Sequence, residues 1–68
     1  STSIERINEA FDVKIPDHEF ETIGGFIADD MGHVPRRGEQ HELQGLRFTV
    51  MLSRGGVVRW FKVSPISS

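Results

Sequence analysis

Leu46-Arg47-Phe48-Thr49-Val50-Met51-Leu52-Ser53-Arg54-Gly55-Gly56-Val57-Val58-Arg59-Trp60-Phe61-Lys62-Val63 is the stretch that decides the fold. In its first half Leu46, Phe48, Val50 and Leu52 alternate with Arg47, Thr49, Met51 and Ser53, the period of two that marks a half-buried strand. Arg54-Gly55-Gly56 is a turn signal, and Val57 to Val63 runs back. Residues 46 to 63 are therefore expected to form an antiparallel hairpin. The returning half breaks the alternation, because Val57, Val58, Trp60, Phe61 and Val63 cannot all share one side. That predicts either a bulge or a strand covered on both faces. Residues 39 to 44, just before a turn at Gly45, are expected to add a short third strand.

Two helical segments precede this sheet. Thr2-Ser3-Ile4-Glu5 has the form of a capping box, with a hydroxyl at the helix start and Glu5 reaching back. Ile4, Ile7, Ala10 and Phe11 then fall on one helical face, which predicts a helix over residues 3 to 11. Pro16 forbids a long continuation and favours extended backbone at Ile15. Thr22 is the expected N-cap of a second helix. Its apolar stripe is Ile23, Phe26, Ile27 and Met31, with Gly32 at the C-terminal cap and Pro35 soon after. Gly24 and Gly25 stand out, since a helical glycine costs about 1 kcal/mol relative to alanine. The expectation is that Gly25 lets this helix approach the sheet or the first helix closely. Phosphate binding at the helix start is the weaker explanation, for want of a G-x-G-x-x-G spacing and a clear preceding strand. The fold class is thus α+β: two helices packed on one face of a small antiparallel sheet of about three strands.

Composition narrows the function classes. A chain of 68 residues holds one domain and buries a modest core. It has no cysteine, which excludes disulfides and thiolate metal sites. Eight Lys plus Arg against ten Asp plus Glu give a formal charge of −2, too balanced to predict a nucleic-acid partner. No apolar run approaches the ~20 residues of a membrane span, and no signal-peptide pattern is visible. The chain begins at Ser1 without methionine, so it is expected to be a piece of a longer protein or a processed product.

The order of signals resembles a known family. Thr22 and Gly25 fit a T-x-x-G block. Gly32, Pro35, Gly38 and Glu39 fit G-x-x-P-x-x-G-E. Gly45, Leu46, Phe48 and Val50 fit G-L-x-F-x-V. Together, over Ser3 to about Ser64, they resemble the CorC/HlyC transporter-associated domain. That domain lies at the C-terminal end of membrane proteins also called hemolysin-like or magnesium/cobalt efflux proteins, usually after a pair of CBS domains. The resemblance implies a non-catalytic accessory or regulatory domain on the cytoplasmic side of the cell membrane, in contact with neighbouring CBS and membrane domains. The family domain usually opens with a strand before its first helix. Residues 1–68 are accordingly expected to be one such domain lacking that strand, and a homodimer is expected to cover the edge left open. The alternative function is a small-ligand sensor that binds a metal ion or nucleotide directly, and a small enzyme is the third reading.

Individual side chains offer chemistry beside this pattern. His18, His33 and His41 are the obvious metal candidates, but their spacings of 15 and 8 lack the short paired intervals of a zinc site. Solvated loop histidines are preferred. Glu19, Glu21, Asp29 and Asp30 form a carboxylate-rich stretch of the sort that binds magnesium weakly, though a solvated helix face explains it as well. Arg36, Arg37, Arg47, Arg54 and Arg59 give a basic side that would suit an acidic partner or lipid headgroups, against the plainer reading of a mixed surface. Trp60, with Val58 and Phe61, is assigned to an interface or to the core with equal weight. Catalysis has little support, with no cysteine and no Gly-x-Ser-x-Gly turn. No catalytic residue, metal or cofactor is expected.

Overall fold

The computed structural model describes residues 2–20 and 22–66. The elements follow the order helix α1 (Ile4–Phe11), helix α2 (Ile23–Met31), then strands β1 (Gln40–Leu43), β2 (Leu46–Arg54) and β3 (Val57–Pro65). The strands form one antiparallel sheet in the order β1-β2-β3. The architecture is the α+β arrangement expected, with the returning strand two residues longer than its pattern indicated.

Each helix is closed by side-chain chemistry. The cap of α1 is Ser3, whose Oγ accepts from the Arg6 N–H at 3.2 Å. The cap lies one residue later than a box closed by Glu5 requires, so Glu5 stays in the first turn and the box does not form. At the far end Asp12 takes the left-handed conformation, φ 53°, and its N–H bonds the Asn8 carbonyl. Asn8 then holds the next stretch of chain: its Oδ1 accepts from the Ile15 N–H at 2.8 Å and its Nδ2 donates to the Ile15 carbonyl at 3.0 Å. This side-chain mimic of a strand pair seats Ile15 in the core. The cap of α2 is Thr22, as expected, accepting from the Gly25 N–H at 3.3 Å, and Gly32 ends the helix.

The core lies between the helices and the sheet. Ile4, Ile7, Ile15, Ile23, Ile27, Leu46 and Phe48 form one buried cluster. Phe48 at its centre is fully buried and meets Phe61 edge to face, ring centroids 6.0 Å apart, a favoured aromatic geometry. Both hairpin turns have two residues, Gln44-Gly45 and Gly55-Gly56, all four at positive φ. That is the turn whose twist matches the flanking strands, and it explains why glycine occupies three of the four places.

The broken alternation of β3 resolves into two register shifts. Val50 pairs with Phe61, Leu52 with Trp60, and Ser53 with Val58, so Met51 and Arg59 are each passed over. An extra residue on a strand reverses the facing of the residues beyond it. Val58 thereby returns to the core side and is buried, while Trp60 is 66% exposed.

The glycine pair divides differently from expectation. A methyl group built on Gly24 would meet the Phe61 ring at 3.7 Å and the Val58 carbonyl oxygen at 3.8 Å. One built on Gly25 would meet Thr22 Oγ1 at 3.3 Å and the Phe20 ring at 3.5 Å. Gly24, not Gly25, faces the sheet, and Gly25 leaves room for its own helix cap. Helical phase relative to the sheet decides this, and the local sequence does not contain it. Because ordinary contact awaits a methyl at residue 24, Gly24→Ala is expected to raise stability by up to about 1 kcal/mol. Gly25→Ala is expected to gain less, since it presses on the cap oxygen. Urea midpoints of the two variants check this order, and a Gly24→Ala midpoint below the parent's would contradict it.

Candidate functional site

The connection from α2 to β1 is the most organised polar region among the described residues. Pro35 is fully buried and anchors its middle. Gly38, at φ 92°, lies in a region that side chains rarely adopt; its N–H donates to the Val50 carbonyl at 2.7 Å. The Val50 N–H donates in turn to the Glu39 carbonyl at 2.9 Å, which starts the β1–β2 ladder. The Glu39 side chain folds back over the loop. One carboxylate oxygen accepts from the Arg36 backbone N–H, and the other meets His33 Nε2 at 3.0 Å. These partners hold the Glu39 carboxyl below the usual carboxylate range, the Arg36 N–H bond first and His33 second.

Two further polar pairs tie the sheet margin. His41 Nε2 lies 2.7 Å from Asp30 Oδ2, joining β1 to the end of α2. Arg47 places Nε and Nη2 at 3.2 and 2.9 Å from Glu42 Oε2 across the β1–β2 pair. The three histidines do not converge: His33 and His41 have separate carboxylate partners, and His18 is exposed on the α1–α2 connection. Asp29 and Asp30 are exposed at the end of α2 and Glu19 is exposed before it, while Glu21 lies outside the described residues. Among the described residues no three His, Asp or Glu side chains are grouped to hold a metal ion, and no helix is long and apolar enough to cross a membrane.

The three residues expected at an interface separate. Val58 is buried and Phe61 is half-buried against the core; only Trp60 stands clear. The helix layer leaves only Trp60 of the three uncovered, because the register shifts turn Val58 inward. Trp60 and Arg59 border a groove of about 460 Å³ that runs between β3 and the helices, floored by Ile7, Ile23, Val58 and Val63. A smaller cleft of about 190 Å³ lies between α2 and the Gly55-Gly56 turn, lined by Gly24, Gly25, Ala28, Val34 and Val57. Both are mostly apolar and open.

Comparison with known proteins decides the family. The model of the transporter associated domain, CorC_HlyC, matches residues 1–67. The chain belongs to this family. A magnesium and cobalt efflux protein CorC of Escherichia coli strain K12 is 43% identical over 51 residues, which are 75% of this chain and 18% of that protein. Its counterpart in Buchnera aphidicola is 36% identical over 52 residues, 76% of this chain and 18% of that protein. The chain therefore spans less than a fifth of the length of these relatives. A crystal structure described as a putative Mg2+ and Co2+ transporter (CorC) associated region from Neisseria meningitidis superposes with TM-score 0.92 at 33% identity, covering 97% of this chain and 82% of that one. A functionally unknown conserved protein from Haemophilus influenzae shares the fold, with TM-score 0.85 at 21% identity over 97% of this chain and 82% of that one.

The residues that carry the family pattern have structural tasks in this transporter associated domain. Thr22 and Gly25 are acceptor and donor of one helix cap. Gly32 ends that helix, Pro35 anchors the following loop, Gly38 makes its turn, Glu39 bonds across it, and Phe48 is the centre of the core. The loop bonds of Glu39, and the role of Asn8, had no readable signal, since each depends on backbone donors that local patterning does not mark.

The lowered carboxyl of Glu39 has a definite sign. Its contribution to stability is present above the ordinary carboxylate value and is lost as pH falls through the folded one. Carboxyl-carbon NMR is expected to give Glu39 a midpoint below that of a glutamate in an unstructured peptide. In His33→Ala the midpoint should rise but stay lowered, because the Arg36 N–H remains. Full return to the peptide value would contradict the ranking of the two partners.

Proposed function

We propose that this transporter associated domain is a non-catalytic accessory and regulatory domain of a CBS-linked membrane ion transporter of the magnesium/cobalt type, acting through contacts with neighbouring domains or subunits. The family match over residues 1–67 carries this reading. The local chemistry supports it. The motif residues are spent on caps, a loop and a core, and every fully buried side chain among the described residues is apolar. Such a body transmits force through surfaces. Its place is the cytoplasmic side of the membrane, beside the CBS and membrane domains of the parent chain, with no nucleic acid involved. Residues 1–67 carry one such domain. The open edge of β3 is available to a strand from another segment or to a second copy, and a homodimer forms if a copy takes it.

Ion titration tests contact against sensing. Thermal midpoints with and without excess magnesium, cobalt or zinc are expected to agree. A site that binds only the folded chain adds about 2.7 kcal/mol at a hundred times its dissociation constant. A saturable rise of that size, lost in His33→Ala, would replace this reading with a direct sensor. Light scattering at about 100 μM, above weak dimer constants, is expected to give a mass above 7.7 kDa. A strictly monomeric chain would remove the homodimer.

A further inference from the structure

Charge is divided along the chain and, through the fold, between its two layers. All ten acidic residues lie within residues 1–42. Residues 43–68 carry four basic side chains, Arg47, Arg54, Arg59 and Lys62, and no acidic one. Successive strand residues face opposite sides. Phe48 and Val50 face the core, so Arg47 and Thr49 face away from it, and Lys62, paired with Thr49, faces away too. Beyond the register shift Leu52 pairs with Trp60, and both continue the outer face. Arg59 is the residue passed over beside Trp60, and Arg54 comes two residues after Leu52. The outer face of the hairpin therefore gathers Arg47, Arg54 and Lys62 around Trp60, 66% exposed, and Met51, 50% exposed, with Arg59 at the β3 edge beside the groove. The two helices behind carry exposed Glu5, Glu9, Asp29 and Asp30 against one exposed cation, Arg6.

We propose that this outer face docks on an anionic lipid surface. An indole is amphipathic and favours the headgroup level of a bilayer, where basic residues around it gain from negative lipid. Among the described residues only Arg47 of the four cations has a carboxylate partner, Glu42. Arg54, Arg59 and Lys62 are long and exposed and have no ion-pair partner among the described residues, which suits a diffuse sheet of charge. A folded acidic partner would favour preset bidentate pairs. The acidic helix layer is repelled by the same surface, so the charge division also sets which way the domain lies. The proposal rests on the reading above that the parent is a membrane protein, and it adds a second anchoring point on that membrane.

Vesicles of phosphatidylcholine alone, and with about one third phosphatidylserine, provide the test. The only tryptophan is Trp60, so its fluorescence reports directly. Its emission is expected to shift to the blue, saturably, with anionic vesicles and not with neutral ones. Co-sedimentation is expected to weaken about fivefold in Lys62→Gln, the equivalent of about 1 kcal/mol for one basic residue at a charged surface. Trp60→Ser should also weaken it while circular dichroism stays that of the parent. Raising salt from about 0.1 M to about 1 M shortens the screening length from ~10 Å to ~3 Å and should release the chain. Equal binding to both vesicles, no binding, or full binding by an Arg59→Gln, Lys62→Gln double variant would overturn the proposal. So would a blue shift that grows with protein concentration alone and a mass that falls in Trp60→Ser, which would make the face a contact between copies. None of these failures touches the accessory-domain reading, which stands or falls on the ion titration.

Discussion

The two register shifts in the β2–β3 hairpin are the constraint on which the rest of the structure depends. A regular ladder from Val50 and Phe61 outward would carry Val58 to the solvent side. Passing over Met51 and Arg59 returns Val58 to the helices, where it is 4% exposed, and leaves Trp60 outside. The Val58 carbonyl and the Phe61 ring then define the surface against which Gly24 brings the start of α2. A bulge also strengthens local twist, and a twisted edge resists uncontrolled pairing better than a flat one. The same irregularity thus sets the core, the seat of a helix and the character of the exposed face.

A second layer of organisation comes from backbone groups satisfied by side chains. Asn8 bonds both backbone groups of Ile15, and Glu39 bonds the Arg36 N–H. Each closes a connection that has no regular structure of its own. A domain of this size has little apolar area with which to hold loops, so local hydrogen bonds take over that task. Glu39 is mostly a loop fastener that also meets His33, and its lowered carboxyl is a consequence of that geometry. A perturbed carboxylate often marks chemistry, but structural networks perturb carboxylates too.

Much of the fold was legible because its signals are local. The period-two run of β2, the two glycine-bearing turns, the Thr22 cap and the Gly32 stop each depend on a few neighbouring residues, and each lies where its pattern placed it. Features that depend on three-dimensional phase were not legible. Gly24 and Gly25 are chemically identical in the sequence, and only the seating of α2 on β3 distinguishes them. The broken alternation left a bulge and a strand covered on both faces equally open, so Val58 and Trp60 were grouped although they face opposite ways. Ser3 and Thr2 offered the same hydroxyl, and the chain uses the later one. The family pattern was readable as a pattern, while its physical content, caps and loop closure, required the hydrogen bonds.

With these register shifts the hairpin exposes its indole while burying the valine two residues before it. Acrylamide quenching of Trp60 fluorescence in the dilute, lipid-free chain measures this most directly. Quenching close to that of a free tryptophan derivative, with the emission of a hydrated indole, is the predicted result. A strongly protected, blue-emitting Trp60 in the monomer would contradict the division of the hairpin into a core face and an open basic face.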